Sequence, residues 1–115
     1  MKKVAICFQI ILLLPAIAFG AQVFGSLRFE NASVGGGVEV NVKCGEKGER
    51  EYNGKTDAFG SYSVYLPRPE KCRLAVNFRN QWSEPYDVYS DETDPVRYDF
   101  ELIRRDNGSF FLRRR

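Results

Sequence analysis

Three stretches of the sequence alternate between apolar and polar residues, which restricts the chain to strands with one buried face. They are residues 38–44, 72–79 and 96–102. Successive side chains of a strand point to opposite faces of a sheet, so a period of two indicates a half-buried strand. Cys44 and Cys72 both fall on the apolar phase and therefore face the same predicted core.

Four weaker stretches extend this pattern, at residues 23–30, 50–53, 61–66 and 82–89. Gly25 predicts a bulge or a close backbone approach in the first of these stretches. The polar stretch at residues 50–53 is typical of an edge strand. Pro85 restricts the stretch at residues 82–89 to an edge or a bulged strand. Turn-forming residues separate the strands, and no helical period follows residue 20. We therefore expect an all-β, seven-stranded antiparallel sandwich of Greek-key type. It is not immunoglobulin-like, since Trp82 follows both cysteines.

The first 20 residues have the pattern of a secretory signal peptide. Two lysines precede an apolar stretch at residues 4–19, and small residues at 18 and 20 form a cleavage site before Ala21. The stretch is short for a membrane anchor, which needs about 20 apolar residues. We expect cleavage after Gly20, no integral membrane span afterwards, and a periplasmic or secreted mature chain.

Charge and cysteine content agree with export. The chain has 17 Lys and Arg against 15 Asp and Glu, and the loss of Lys2 and Lys3 leaves residues 21–115 with no net charge. This gives no reason to expect a nucleic-acid partner. In an oxidising compartment, Cys44 and Cys72 predict a disulfide that closes a loop of about 29 residues and contributes about 3–4 kcal/mol. A redox or metal-binding dithiol is the alternative, but the spacing lacks C-x-x-C.

The segment Thr56-Asp57-Ala58-Phe59-Gly60-Ser61-Tyr62 resembles the T-D-x-x-G-x-Y/F signature of carboxypeptidase regulatory-like domains. These are transthyretin-like β-sandwiches. The resemblance extends over residues 22–102 and implies a sandwich domain at residues 21–103, followed by a basic hairpin or tail at residues 104–115. The residues themselves favour a structural role. Asp57 can accept hydrogen bonds from following amides, and Gly60 can adopt the positive φ of a chain reversal.

Catalytic chemistry has little basis in the sequence. The chain contains no histidine, which excludes Ser-His-Asp and Cys-His catalysis and histidine metal sites in their usual forms. The enzymatic transthyretin-like proteins, the hydroxyisourate hydrolases, depend on histidines and end in Tyr-Arg-Gly-Ser, whereas this chain ends Leu112-Arg113-Arg114-Arg115. We expect a protein that is not an enzyme, without cofactor or metal.

Three features are candidates for a binding surface. The acidic stretch containing Asp91 and Asp94 offers oxygen ligands to Ca²⁺, although it lacks a recognised loop spacing and resembles a solvated turn. Aromatic residues near turns are suited to sugar faces or protein partners, or else they pack the core; Trp82, Tyr86 and Tyr89 are the candidates. The third is the C-terminal segment, where Asn107-Gly108 predicts a hairpin. The alternative there is docking of Arg113, Arg114 and Arg115 on a partner or an anionic membrane.

Together these features predict a non-catalytic module of the bacterial envelope that binds a protein in trans or has a structural role. The alternative is a carbohydrate-binding module that uses exposed aromatic residues. Protein and glycan are therefore the two partner classes that the sequence leaves open.

Overall fold

The computed structural model describes residues 21–91 and 93–115, so the predicted signal peptide at residues 1–20 lies outside the described residues. Within these ranges no helix is long and apolar enough to cross a membrane. The regular structure of the described residues consists of eleven β-strands: β1 (Ala21–Phe29), β2 (Ala32–Ser33), β3 (Glu39–Cys44), β4 (Arg50–Lys55), β5 (Ser61–Leu66), β6 (Lys71–Phe78), β7 (Gln81–Trp82), β8 (Tyr86–Tyr89), β9 (Val96–Arg97), β10 (Phe100–Arg104) and β11 (Phe110–Arg114).

The strands form two sheets, as expected of a β-sandwich. In the first sheet, β1 is central: β5 and β2 pair with it in antiparallel orientation, and β9 and β10 pair with it in parallel orientation. β11 pairs with β10 and is the last strand on that side. The second sheet has the order β4-β3-β6, with β7 and β8 both paired to β6. The prediction of antiparallel strands is therefore correct except for the two parallel pairings of β1.

Alternating side chains from both sheets form the core. Val40, Val42, Leu74 and Val76 of the second sheet are fully buried against residues such as Phe100 of the first. Phe78 of the second sheet lies 5.2 Å from Phe29 and 5.5 Å from Phe110, measured between ring centroids. Each fully buried side chain of this size contributes about 1.5–3 kcal/mol, so these contacts are the main attraction between the sheets.

The predicted strand at residues 96–102 is interrupted in the structure. β9 and β10 are separated by Tyr98 and Asp99, and at this break the carbonyl oxygen of Tyr98 lies too close to Gly25 for any side chain there. Asp99 continues this contact: its Oδ1 accepts a hydrogen bond from the Ser26 amide at 2.9 Å. Burial alone would raise the pKa of Asp99, but hydrogen bonds from Arg97 and Ser26 outweigh it and hold that pKa below its usual range. The close approach predicted at Gly25 is therefore confirmed.

Other strand predictions are also confirmed. β4 is an edge strand, and the stretch at residues 82–89 is divided by Pro85 into β7 and β8 at the opposite edge. The C-terminal segment forms the expected hairpin, with Asn107-Gly108 in the turn between β10 and β11. Phe110 and Leu112 of this hairpin are buried in the core, so the segment is part of the sandwich.

The predicted disulfide joins the two central strands of the second sheet. Cys44 of β3 lies directly opposite Cys72 of β6, with a Cα–Cα distance of 4.3 Å. Both cysteines are buried on the core side. The bond links positions 28 residues apart and so limits the freedom of the unfolded chain.

The disulfide gives a first prediction. Mass spectrometry of purified protein should show the loss of two hydrogens relative to the reduced mass, about 2 Da, and reduction should lower the free energy of unfolding by about 3–4 kcal/mol. Urea titrations with and without reductant measure the second quantity. Two thiols that react with iodoacetamide in the folded, unreduced protein would contradict the bond.

Gly25 gives a second prediction. A Cβ at this position would lie 1.9 Å from the Tyr98 carbonyl oxygen, so Gly25→Ala must displace backbone and should destabilise the protein by about 2–3 kcal/mol. Gly36→Ala is the control, because its Cβ would lie 3.3 Å from its nearest neighbour, the Asp57 carbonyl oxygen. Equal urea midpoints for the two variants would show that the contact is not a constraint.

Candidate binding sites

The turn at residues 56–62 has the structural role that its sequence predicts. Oδ1 of Asp57 accepts hydrogen bonds from the amides of Phe59 at 2.9 Å and Ser61 at 3.0 Å. Gly60 has a φ of +79° and donates its amide to the Asp57 carbonyl. Buried Thr56, the first residue of the signature, accepts a hydrogen bond from the Val38 amide through Oγ1 at 2.9 Å. Hydrogen bonds within the turn, and one from the loop that precedes β3, therefore hold its conformation.

Tyr62 follows the turn and points into the core. Its hydroxyl donates a hydrogen bond to the Tyr98 carbonyl at 2.6 Å, and burial raises its pKa far above the usual value. The hydroxyl thus remains a neutral donor, fixed by the same carbonyl that approaches Gly25. By contrast, Phe59 at the tip of the turn is 81% exposed.

The three candidate aromatic residues do not form one surface. Tyr86 is half-buried and packs against Phe100 with a centroid distance of 4.9 Å, so the alternative that its ring packs against the core is confirmed. Trp82 and Tyr89 are 49% and 54% exposed. They pair with Asn77 and Lys71 of β6, and a separation of six residues along a strand is about 20 Å. Only one of them can contribute to any small site.

The acidic loop brings fewer potential metal ligands together than its sequence suggests. Oδ1 of Asp91 accepts a hydrogen bond from the Thr93 amide at 3.1 Å, which describes a turn, and Glu92 lies outside the described residues. Among the described side chains, Asp94 does not join Asp91 in a set of metal ligands. The one such group in the described ranges is Cys44, Glu70 and Cys72, and the disulfide consumes both thiols. The calcium alternative therefore stays a prediction.

A groove around Trp82 crosses the outer face of the second sheet. Asn41 and Lys43 of β3, Glu51 of β4 and Ala75 of β6 line it. A second hollow adjoins it and shares Trp82, Asn41 and Glu51. Trp82 thus stands at the junction of two hollows on one face of the sheet.

Asn41 is the unexpected residue of this groove. The alternation of β3 assigns its side chain to solvent, yet only 6% of the residue is exposed. Its Nδ2 donates hydrogen bonds to Oε2 of Glu51 at 2.6 Å and to Oδ1 of Asn53 at 2.7 Å. These neighbours, supplied by β4, cover it from the side. Sequence alone contains no signal for such a cover because it depends on the register of β3 and β4.

The main chain on both sides of Trp82 is fixed by a tight turn and by hydrogen bonds. Arg79 and Asn80, with φ of 56° and 63°, form the two-residue turn between β6 and β7. The next residue, Ser83, is buried; its amide donates to the Val76 carbonyl at 2.8 Å, and its Oγ accepts from the Val76 amide at 3.0 Å. These two hydrogen bonds fix the main chain immediately after the exposed indole. The sequence alone gives no indication that Ser83 has this role.

The three C-terminal arginines have different surroundings. Arg113 pairs with Glu101 at 3.0 Å. The Arg114 guanidinium lies 4.2 Å from the ring centroid of Tyr98 and donates to the Arg97 carbonyl at 2.8 Å. The Arg115 side chain is exposed, while its amide donates to the Asp99 carbonyl at 2.8 Å. All three lie on or beside the edge strand β11.

One end of this edge is covered. The Glu84 amide donates a hydrogen bond to the Phe110 carbonyl at 2.9 Å, and Oε2 of Glu84 accepts one from Nε of Arg105 at 2.7 Å. The hydrogen bond from Arg105 lowers the pKa of Glu84. The segment between β7 and β8 therefore contacts the start of β11, and no other segment of the described residues pairs with its C-terminal part on that side.

Comparison with known proteins adds no relative. A scan against models of protein families gives no match, and a search of the curated proteins gives none. The resemblance to carboxypeptidase regulatory-like domains therefore stays a prediction that depends on residues 56–62.

The Asp57 turn gives a third prediction. Asp57→Ala removes the acceptor of two amide hydrogen bonds and should lower the free energy of unfolding by about 1–2 kcal/mol. Asp57→Asn retains a side-chain oxygen and should cost less, while the control Asp94→Ala should change stability by less than about 0.5 kcal/mol. Chemical denaturation measures all three. Equal stability of the Ala and Asn variants would mean that the acceptor oxygen is not what matters.

Proposed function

We propose that this chain is a non-catalytic, exported module of the bacterial envelope, of the transthyretin-like type, that binds a protein partner through the edge of β11. Export is supported by the signal-peptide pattern and is compatible with the disulfide. The absence of histidine from the whole sequence supports a non-catalytic role. The observation that carries the choice of partner is the uncovered, arginine-rich edge.

The register of the last hairpin determines which main-chain groups face outward. The Arg105 amide donates to the Ser109 carbonyl and the Arg115 amide donates to the Asp99 carbonyl, both facing inward across the hairpin. Hydrogen bonding alternates along antiparallel strands, so the groups of Phe110, Leu112 and Arg114 face away from β10. Glu84 already covers the Phe110 carbonyl. The groups of Leu112 and Arg114 are then positioned to pair with an added strand.

The positive charge of the β11 edge indicates which kind of added strand it would bind. Residues 100–115 contain five arginines against two acidic residues, Glu101 and Asp106. An extended acidic segment would complement this edge, whereas a second copy of the chain would bring its own arginines and be repelled. Arginines on an edge can also act only to prevent aggregation. A binding experiment separates these two roles.

Arg114 allows a matched test of strand addition, the fourth prediction. Arg114→Gln removes the charge, and Arg114→Pro removes both the charge and the outward amide, which an edge strand tolerates. Fluorescence polarisation with labelled Glu-Val-Glu-Val-Thr-Val-Glu-Val should show binding to the wild type that weakens severalfold in the Gln variant. In the Pro variant it should fall by at least a further tenfold. Similar melting temperatures would show that both variants fold.

The controls separate strand addition from simple charge attraction and from membrane binding. The peptide Lys-Val-Lys-Val-Thr-Val-Lys-Val should not bind, and added salt should weaken binding of the acidic peptide. Equal affinities for the Gln and Pro variants would reject strand addition. If the acidic peptide does not bind, the arginines serve only to prevent aggregation at this edge.

A membrane surface is the other possible partner. Binding to phosphatidylglycerol vesicles without binding to the peptide would show that the partner is a membrane surface and not a protein. Deleting the whole hairpin is unsuitable because Phe110 and Leu112 are core residues.

A further inference from the structure

The groove around Trp82 has the features of a ligand site on a different face from the β11 edge. Half of the Trp82 residue is exposed, although its main chain is fixed by the Arg79-Asn80 turn and by the hydrogen bonds of Ser83 to Val76. A main chain held in this way has little conformational entropy left to lose when a ligand covers the ring. The indole is therefore an exposed flat surface on a fixed main chain.

The buried amide of Asn41 is an independent indication of a ligand. Both hydrogens of Nδ2 are used by Glu51 and Asn53, and no side chain or amide among the described residues donates to Oδ1. A side chain buried to this degree normally has its polar atoms satisfied. Asn41 lines both hollows beside Trp82, so a ligand hydroxyl in the groove has an acceptor at its floor.

The surroundings of the indole identify the class of ligand. Lys43, Glu51 and Arg73 place cationic and anionic groups side by side, and Ala75 leaves space between them. Charges of both signs offer donors and acceptors to hydroxyl groups without favouring a ligand of either charge. A protein hot spot would instead surround the aromatic ring with apolar, desolvated contacts. The combination of one aromatic surface and planar polar groups suits a sugar ring.

We propose that this groove binds a neutral glycan chain, with one sugar ring stacked on Trp82 and neighbouring hydroxyl groups hydrogen-bonded to Asn41, Glu51 and Lys43. This site is independent of the β11 edge, so either proposal can fail alone. A module with both sites would attach a protein partner to a polysaccharide.

Trp82 is the only tryptophan in the chain, so its fluorescence reports directly on the groove. The fifth prediction is that cellohexaose, hexa-N-acetylchitohexaose or mannohexaose, titrated into the mature protein, produces a saturable change in Trp82 emission. Isothermal calorimetry should give the same affinity. Trp82→Ala should weaken the calorimetric affinity at least about tenfold, and Glu51→Gln, which is exposed and retains an acceptor, should weaken it less.

Tyr89→Ala is the matched control, because Tyr89 is equally exposed but lies at the far end of β6. It should leave glycan affinity unchanged, and circular dichroism should show that each variant is folded. The absence of binding by all three neutral hexasaccharides at 10 mM, chosen as about the upper practical limit, would overturn the proposal. Retained affinity in Trp82→Ala would also overturn it, as would binding of oligogalacturonate alone.

Discussion

The contact between Gly25 and the carbonyl of Tyr98 organises the first sheet. It lies at the break between β9 and β10, and that carbonyl also accepts the hydrogen bond of Tyr62. The hydroxyl of Tyr98 in turn accepts a hydrogen bond from the Tyr89 amide in the second sheet, at 3.0 Å. One residue thus connects β1, β5 and β8. A side chain at position 25 would disturb all three connections together.

Strands with clear alternation could be predicted because burial of one face imposes a local period of two. That covers β3 and β6 and, together with an oxidising compartment, the pairing of Cys44 with Cys72. The turn at Asp57 could be predicted for a different reason, because an Asp side chain accepts amide hydrogen bonds and Gly60 adopts a positive φ. The break at Tyr98 could not be predicted because Tyr98 and Asp99 keep the alternating pattern, and the residue they approach, Gly25, lies more than 70 positions away in the sequence. For Tyr86 the sequence left a surface position and core packing open, and only the structure shows that its ring packs against Phe100 from the other sheet.

The groove around Trp82 was less predictable than the fold for a related reason. Trp82 is conspicuous in the sequence as an aromatic residue near a turn, but its partner Asn41 belongs to the polar phase of β3. Only the register of β3 with β4 places Glu51 and Asn53 around that amide. A site assembled across strands depends on pairings that a single sequence does not specify. The segment from Arg79 to Pro85 then relates the two candidate surfaces, since it carries Trp82 and also contacts β11 through Glu84.

The position of the disulfide has a consequence for how the second sheet reaches its native pairing. Shifting β6 by one residue against β3 would turn Cys72 to the opposite face, and a shift of two would move it about 7 Å along the strand. Cα atoms more than about 7 Å apart cannot be bridged without backbone movement. Oxidation therefore selects the native register. In a mispaired sheet the two thiols stay reduced and the strands can separate, whereas the native pairing of β3 with β6 brings Cys44 and Cys72 together and the disulfide then links the two strands covalently.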